Sequence, residues 1–354
     1  MNPRMRTVAF VLVLITVVSS ILYLQSLSGA PITSSGGFEF AGISNWINSE
    51  PLTMQALRGK VVLVDFWTYS CINCIRTLPY IVAWNEKYSK YGFVTVGVHS
   101  PEFAFEKNLD NVKNAVQKFG IIYPVALDND HLTFSGFGNR FWPHKYLFDA
   151  KGNLRYDHVG EGGYEETEKQ IQKLLTENGA SVSNIPIEPE NKYANPDLGA
   201  AAKGMSDEMY ATRDVINIDG PNIAGRKTTY KDDGNHRVEG IYLDGEWMTG
   251  NDYMLHTGNK GSFVIAYSGR TASPVIGSPS GQKFTAKVFL DGNSVPKAYA
   301  GPDLKFDQNN NSYVEISGPP RLYSLVNAKV SFGKHEIKAE TDTGLAIWSV
   351  TFGA

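Results

Sequence analysis

Both cysteines of this 354-residue chain fall in one segment, Val61-Val62-Leu63-Val64-Asp65-Phe66-Trp67-Thr68-Tyr69-Ser70-Cys71-Ile72-Asn73-Cys74. The run from Val61 to Phe66 is apolar and β-branched, which suits a strand buried on both faces. Ile75, Leu78, Ile81, Val82 and Trp84 approximate helical spacing and predict a helix over 75–90. The cysteine pair therefore sits where a buried strand hands over to a helix, which commits this part of the chain to an α/β layer.

Three uses compete for a pair with two residues between its members. A staple across so short a gap removes little chain entropy, because that stabilisation grows with loop length. A structural metal site needs four Cys or His ligands, often as two pairs. There is no second Cys pair, and His99, His131, His144 and His158 do not show paired spacing. A redox dithiol explains more. At a helix start, backbone N–H groups and the positive helix end face the first sulfur, which predicts a lowered pKa for Cys71. Cys71 then attacks a partner disulfide and Cys74 resolves the mixed disulfide. That cycle needs no metal and no cofactor beyond the redox-active disulfide Cys71–Cys74.

The same alternation continues downstream. Strands are predicted over 93–99, 123–127, 145–148 and 154–159, and helices over 105–119 and 164–175. Residues 179–204 are rich in Pro, Asn, Ser and Ala and read as a linker, with partial packing as the alternative. Beyond it helical patterns vanish. Short alternating segments recur at 237–243, 261–267, 284–290, 312–316, 321–326, 335–339 and 345–352, with Asp-Gly turn pairs at 244–245 and 291–292. These imply an all-β sandwich or jelly roll over 205–354.

At the other end, Arg4 and Arg6 precede an apolar run, Val8 to Leu24, and no charge appears until Glu39. Residues 1–30 read as an uncleaved membrane anchor, with a cleaved signal and secretion as the alternative, and 31–37 as a spacer. Either reading puts the body outside the cytosol, where cysteines can oxidise. A net charge of −3 gives no sign of a nucleic-acid partner.

The segment VLVDFWTYSCINCIRTLPY resembles the active site of the thioredoxin superfamily: a strand ending Asp-Phe-Trp, the cysteine pair, then Pro79 in the helix. The resemblance implies a thioredoxin-like domain over 38–178, a central mixed sheet flanked by helices. The extra helix and strand before Tyr123 resemble the TlpA-like insertion. Asp65 matches the buried acid that relays the proton of the resolving thiol; an ordinary strand-end acid is the alternative. Phe141-Trp142-Pro143-His144-Lys145 resembles the cis-proline loop, so Trp142 and Pro143, with Trp67, would dock substrate.

Together with FLDG, RLYSLV, GKHEIKAE and WSVTFG in the β-rich half, the chain resembles the extracytoplasmic part of DipZ-type proteins, which pair such a domain with a carbohydrate-binding-module-like sandwich. In that setting Trp247, Tyr253, Tyr267, Tyr299, Tyr313 and Tyr323 could stack on a polysaccharide, and Asp291 and Asp307 could belong to a calcium site; core packing and turn acids are the alternatives. The expected function is an extracytoplasmic thiol–disulfide oxidoreductase, acting as a reductant of disulfides in exported proteins, apocytochrome c among them. A separate membrane electron donor of the CcdA type would recharge it. The competing readings are a carbohydrate or cell-wall binding protein that uses the α/β domain as a scaffold, and a thiol peroxidase. The segment 66–71 lacks the Pro-x-x-x-Thr/Ser-x-x-Cys loop of the peroxidase.

Overall fold

The computed structural model describes residues 37–212, 217–342 and 344–354. The anchor expected over 1–30 and all but Gly37 of the spacer lie outside the described residues. No helix among the described residues is long and apolar enough to cross a membrane.

The first half is a six-stranded mixed sheet. In chain order its elements are β1 (Asn45–Ile47), β2 (Val61–Trp67), α1 (Ile72–Tyr88), β3 (Phe93–His99), α2 (Leu109–Lys118), β4 (Val125–Leu127), α3 (Leu132–Gly136), β5 (His144–Phe148), β6 (Leu154–Val159) and α4 (Tyr164–Glu177). The spatial order is β1-β4-β3-β2-β5-β6. β2, β3 and β4 run parallel, while β1, β5 and β6 pair antiparallel. β2 is central, and every one of its residues is buried. On one face Val61, Leu63 and Trp67 pack with α1, α2 and α4 through Leu78, Ile81, Trp84, Val112, Val116, Ile171 and Leu174. On the other, Phe66 meets the rings of Phe134, Phe137 and Tyr146 at 5.7, 5.1 and 5.6 Å. Burial on both faces is what the unalternating apolar run required.

Two helices differ from the sequence reading. α1 starts at Ile72, three residues before the expected 75, because Cys71 itself caps it. The helix expected over 105–119 is split. Asn108 takes an extended backbone, and its Oδ1 accepts from the N–H groups of Asp110 and Asn111, so α2 starts only at Leu109. The helical period alone cannot show such an internal cap.

The second half is antiparallel throughout its strand ladders. The strand Gly240–Thr249 joins its two sheets. Its first half pairs with Gly261–Gly269 and its second with Met254–His256 and Lys227–Tyr230. The Asp244-Gly245 pair, expected as a hairpin turn, is therefore inside a strand. Gly245 has φ +95°, and a Cβ there would lie 2.7 Å from the Lys260 carbonyl oxygen. It is a sheet-switching bend that only glycine fits. Asp291-Gly292 is a true hairpin turn, with φ of +50° and +77°. The strand Thr271–Gly277 was not expected because Pro274 breaks the pattern, yet it pairs with Ala346–Gly353 along its length.

Between the sheets lie Trp247, Phe263, Ile265, Tyr267, Val288, Tyr323, Ile337, Ile347, Val350 and Phe352. Three of the six aromatics considered for sugar stacking, Trp247, Tyr267 and Tyr323, are thus core residues. Tyr253 packs on Trp348 at 5.1 Å. Asp307 accepts from the N–H groups of Asn309 and Asn311 within its own turn, and Asp291 bonds His335 and the Glu336 N–H. Local turn chemistry accounts for Asp307, and contacts to the neighbouring strand account for Asp291.

The segment expected as a linker is packed. Val182 is fully buried, Lys87 Nζ reaches the Pro186 carbonyl, and the Tyr80 hydroxyl donates to the Glu190 carbonyl at 2.7 Å. Ile72 lies in one apolar cluster with Phe103, Leu198, Val275, Leu322, Ala346 and Trp348, so α1 and the β-rich half share a core. Arg76, 8% exposed, donates through one terminal nitrogen to the carbonyls of Leu198 (2.6 Å) and Phe352 (3.1 Å). Its other terminal nitrogen faces Asn73 Oδ1 at 3.3 Å and Glu161 at 3.4 Å. Arg76→Met removes the charged donor from both carbonyls, leaving Leu198 only the longer bond from the Thr271 hydroxyl (3.3 Å), and should lower stability by about 2–4 kcal/mol. Urea unfolding followed by tryptophan fluorescence checks this.

Candidate active site

The dithiol is built by the first turn of α1. Cys71 is the N-cap, in extended backbone, and its Sγ accepts from the Cys74 N–H at 3.2 Å. The two sulfurs are 2.8 Å apart and both cysteines are free thiols. Cys71 is half-buried and Cys74 is 1% exposed. The helix end does face Cys71, but burial opposes the lowered pKa expected from it. Burial pushes the Cys71 thiol up, the Cys74 thiol and N–H pull it down, and the carboxylates of Glu102 and Glu208 add to the rise. None of the leading influences on Cys71 is a cation. Burial likewise holds Cys74 well above the ordinary thiol range, with its neighbour Cys71 and then Asp65 contributing.

Beneath Cys74 lies a buried acid–base pair. Asp65 in β2 is 1% exposed, and its register partner in β5 is Lys145, fully buried. Lys145 Nζ donates to the Gly160 carbonyl at 2.8 Å, whereas Asp65 Oδ1 has no hydrogen-bond partner among the described residues. Burial raises the Asp65 carboxyl and lowers the Lys145 ammonium, and each charge partly offsets the shift of the other. Cys74 is within electrostatic reach of both. The site thus holds a carboxyl able to take a proton near neutral pH, and a cation beside it.

A second buried acid orders the loop before the dithiol. Glu106, fully buried, accepts from the Ser70 hydroxyl (2.6 Å) and N–H (3.2 Å) and from the N–H groups of Glu102 (2.6 Å) and Phe103 (2.9 Å). It clamps 68–71 to the segment 100–106. His99, also fully buried, lies 3.4 Å from the Thr68 hydroxyl and stacks on Tyr69 with ring centroids 5.7 Å apart. The other three histidines weighed as ligands are held elsewhere: His131 by the Pro101 carbonyl, His144 between Asn139 and Asp157, and His158 by the Glu161 carbonyl.

Facing the dithiol is the loop expected at Phe141–Lys145. The Trp142–Pro143 peptide bond is cis. The Trp142 carbonyl is 3.8 Å from Cys71 Sγ, and the indole donates to the Ser100 carbonyl at 3.0 Å. Pro143 is buried, and its carbonyl accepts from Gly160 N–H at 2.8 Å. Trp67, grouped with these as a docking residue, is not at the surface. It is fully buried on β2, edge-on to His99 at 5.1 Å, in space that Gly97 leaves open: a Cβ there would come within 3.0 Å of the indole nitrogen. Trp67 packs beneath the site, with no exposed surface on which a substrate could dock.

Lys145 and Glu106 escaped the sequence reading because each sits among residues that usually face solvent. A lysine in a short strand and a glutamate in a helical period both read as exposed. The one available signal for Lys145 was its place two residues after Pro143, inside a strand that must pair with β2.

A mixed sheet whose central strand delivers a Cys-x-x-Cys pair to the start of a helix, opposite a proline loop, defines a thioredoxin-fold dithiol protein. The family model described as Redoxin matches residues 47–175, and the one described as thioredoxin like C-terminal domain matches residues 206–353. Protein DipZ of Mycobacterium tuberculosis is 30% identical over 319 residues, which cover 89% of this chain and 42% of DipZ. The thiol–disulfide oxidoreductase YkuV of Bacillus subtilis is 30% identical over 139 residues, which cover 39% of this chain and 93% of YkuV. A solved thioredoxin-like protein in its oxidised form is 30% identical and covers 38% of this chain, with a TM-score of 0.36. The chain belongs to the thioredoxin-like thiol–disulfide oxidoreductases, and it spans less than half the length of DipZ.

Two consequences can be measured. The His99 ring is pushed from the ordinary 6.5 to about 3 by burial. Its contribution to stability is therefore present above pH 6.5 and is lost as pH falls toward about 3. His99→Leu should flatten the acid limb of the stability–pH curve, by on the order of a few kcal/mol at its foot. Lys145→Met removes the charge that draws the Asp65 carboxyl down. The Asp65 titration should move to higher pH, read from the carboxyl carbon shift in the labelled protein.

Proposed function

We propose that the chain is a membrane-anchored, extracytoplasmic protein-disulfide reductase, with Cys71 as the attacking thiol and Cys74 as the resolving thiol. The observation that carries the direction is the environment of the dithiol. A strong thiol oxidant has a stabilised reduced form, commonly as a thiolate of low pKa. Here burial holds both thiols up, and the carboxylates of Glu102 and Glu208 push Cys71 further. The Cys74 thiol and N–H offset only part of that rise, and a thiolate so little stabilised favours the dithiol as an electron donor.

The Cys71 thiolate attacks one sulfur of the substrate disulfide, and the other sulfur leaves as a thiolate and takes up a proton. Cys74 then loses its proton to Asp65 and attacks Cys71 Sγ across the 2.8 Å gap. That step releases the second substrate thiol and leaves the Cys71–Cys74 disulfide. The two electrons have passed to the substrate, and a membrane donor of the CcdA type restores the dithiol. The Trp142 carbonyl beside Cys71 and the adjacent Pro143 form the edge on which a substrate strand lies.

Arg4, Arg6 and the apolar run Val8–Leu24 support anchoring with the body outside the cytosol. Substrates are then disulfides of exported proteins, apocytochrome c among them. In dithiothreitol-driven insulin reduction, Cys71→Ser should abolish the rate enhancement. Cys74→Ser should accumulate a mixed disulfide through Cys71, visible by mass spectrometry. Full activity in Cys71→Ser contradicts the assignment.

A further inference from the structure

Cys71 is half-buried, and the β-rich half contributes to its surroundings at two places. Ile72, its immediate neighbour, is 5% exposed under Leu198, Leu322 and Trp348. The Trp142 carbonyl stands 3.8 Å from the sulfur. The segment 100–103 follows, tied to Trp142 by the indole bond to the Ser100 carbonyl. Opposite it stands the short strand Met209–Tyr210, paired to Val350 and Ser349 of the last strand. The Tyr210 hydroxyl bridges the two sides, lying 3.0 Å from Glu102 and 2.9 Å from Glu208. The Tyr210 ring packs against Phe103, with centroids 6.4 Å apart. Both carboxylates act on the Cys71 thiol, so Glu208 lies within electrostatic reach of the attacking sulfur although it belongs to the other half of the chain.

We propose that the β-rich half is part of the active site: Glu208 and Tyr210, with Glu102, wall a slot over Cys71 that admits a disulfide only in an extended, unstructured chain segment and excludes one on a folded surface. A cystine on a folded protein brings its neighbouring backbone with it, and the wall occupies the space that backbone needs. An extended segment can lie along Trp142–Pro143 with its sulfur pointing into the slot. The inference rests on the reading of Cys71 as the attacking thiol. The groups that face that thiol are Cys74 on α1, Glu102 on the 100–103 segment and Glu208 on the second half, with Asp65 acting behind Cys74.

The test uses the whole chain, reduced, and one disulfide loop in two settings: within an unstructured peptide, and grafted into a surface turn of a folded carrier protein. The peptide should react faster, by on the order of tenfold or more, and Tyr210→Gly should narrow that preference. Glu208→Gln removes a negative charge near Cys71, so the pH profile of Cys71 alkylation by iodoacetamide should move to lower pH. The melting temperature should stay in place. Tyr210→Gly can also disturb packing, and the alkylation profile of Glu208→Gln is independent of that. Equal rates on both substrates, or an unmoved alkylation profile, overturn the slot and leave the dithiol reading intact. Failure to reduce either substrate overturns the dithiol reading, and the slot with it.

Discussion

The first turn of α1 is the point on which the rest of the structure depends. Its cap is the reactive thiol, so Cys71 is where it is because the helix begins there. Ile72 of the same turn and Arg76 just beyond it are anchored outside the α/β layer. Ile72 is packed into the shared core, and Arg76 holds carbonyls of Leu198 and Phe352. The dithiol is therefore positioned from both sides, by β2 behind it and by the β-rich half across it. A helix end with no such anchorage would fray, as helix ends do. Here Ile72 and Cys74 of the N-terminal turn are buried.

That enclosure decides the chemistry. A helix N-terminus by itself lowers a thiol pKa by the attraction of its N–H groups. Burial acts in the opposite direction and is the larger influence at Cys71. The same competition runs through Asp65 and Lys145, where removal from water opposes the charged form of each and their mutual attraction offsets only part of it. Glu106 differs: it is equally buried but accepts four hydrogen bonds, from Ser70 twice, Glu102 and Phe103. One buried acid organises the loop, and the other, with an oxygen lacking a hydrogen-bond partner, is open to a proton.

The strand, the dithiol and the proline loop were legible in the sequence because each leaves a local mark: an apolar run, a two-residue spacing, a Phe-Trp-Pro. The expected α/β layer and β-rich half follow from those marks. What was not legible is relational. Lys145 meets Asp65 only through the β2–β5 register, and Glu106 reaches Ser70 only because 100–106 folds back over the loop. Gly245 reads as a turn beside Asp244, and becomes a bend in a continuous strand once the partner ladders on its two sides are seen. Trp67 has the composition of a docking residue and the position of a core residue. The packing of 179–204 along α1 carries no periodic signal, since it rests on single contacts such as Tyr80 to Glu190.

The central claim is that a dithiol held at raised pKa by burial is an electron donor. Its reduction potential, measured by equilibrating the chain in graded dithiothreitol or glutathione buffers, tests that claim most directly. The account predicts a value near the reducing end of the thioredoxin-fold range, about −270 mV. A value near the strongly oxidising end, about −120 mV, would contradict it.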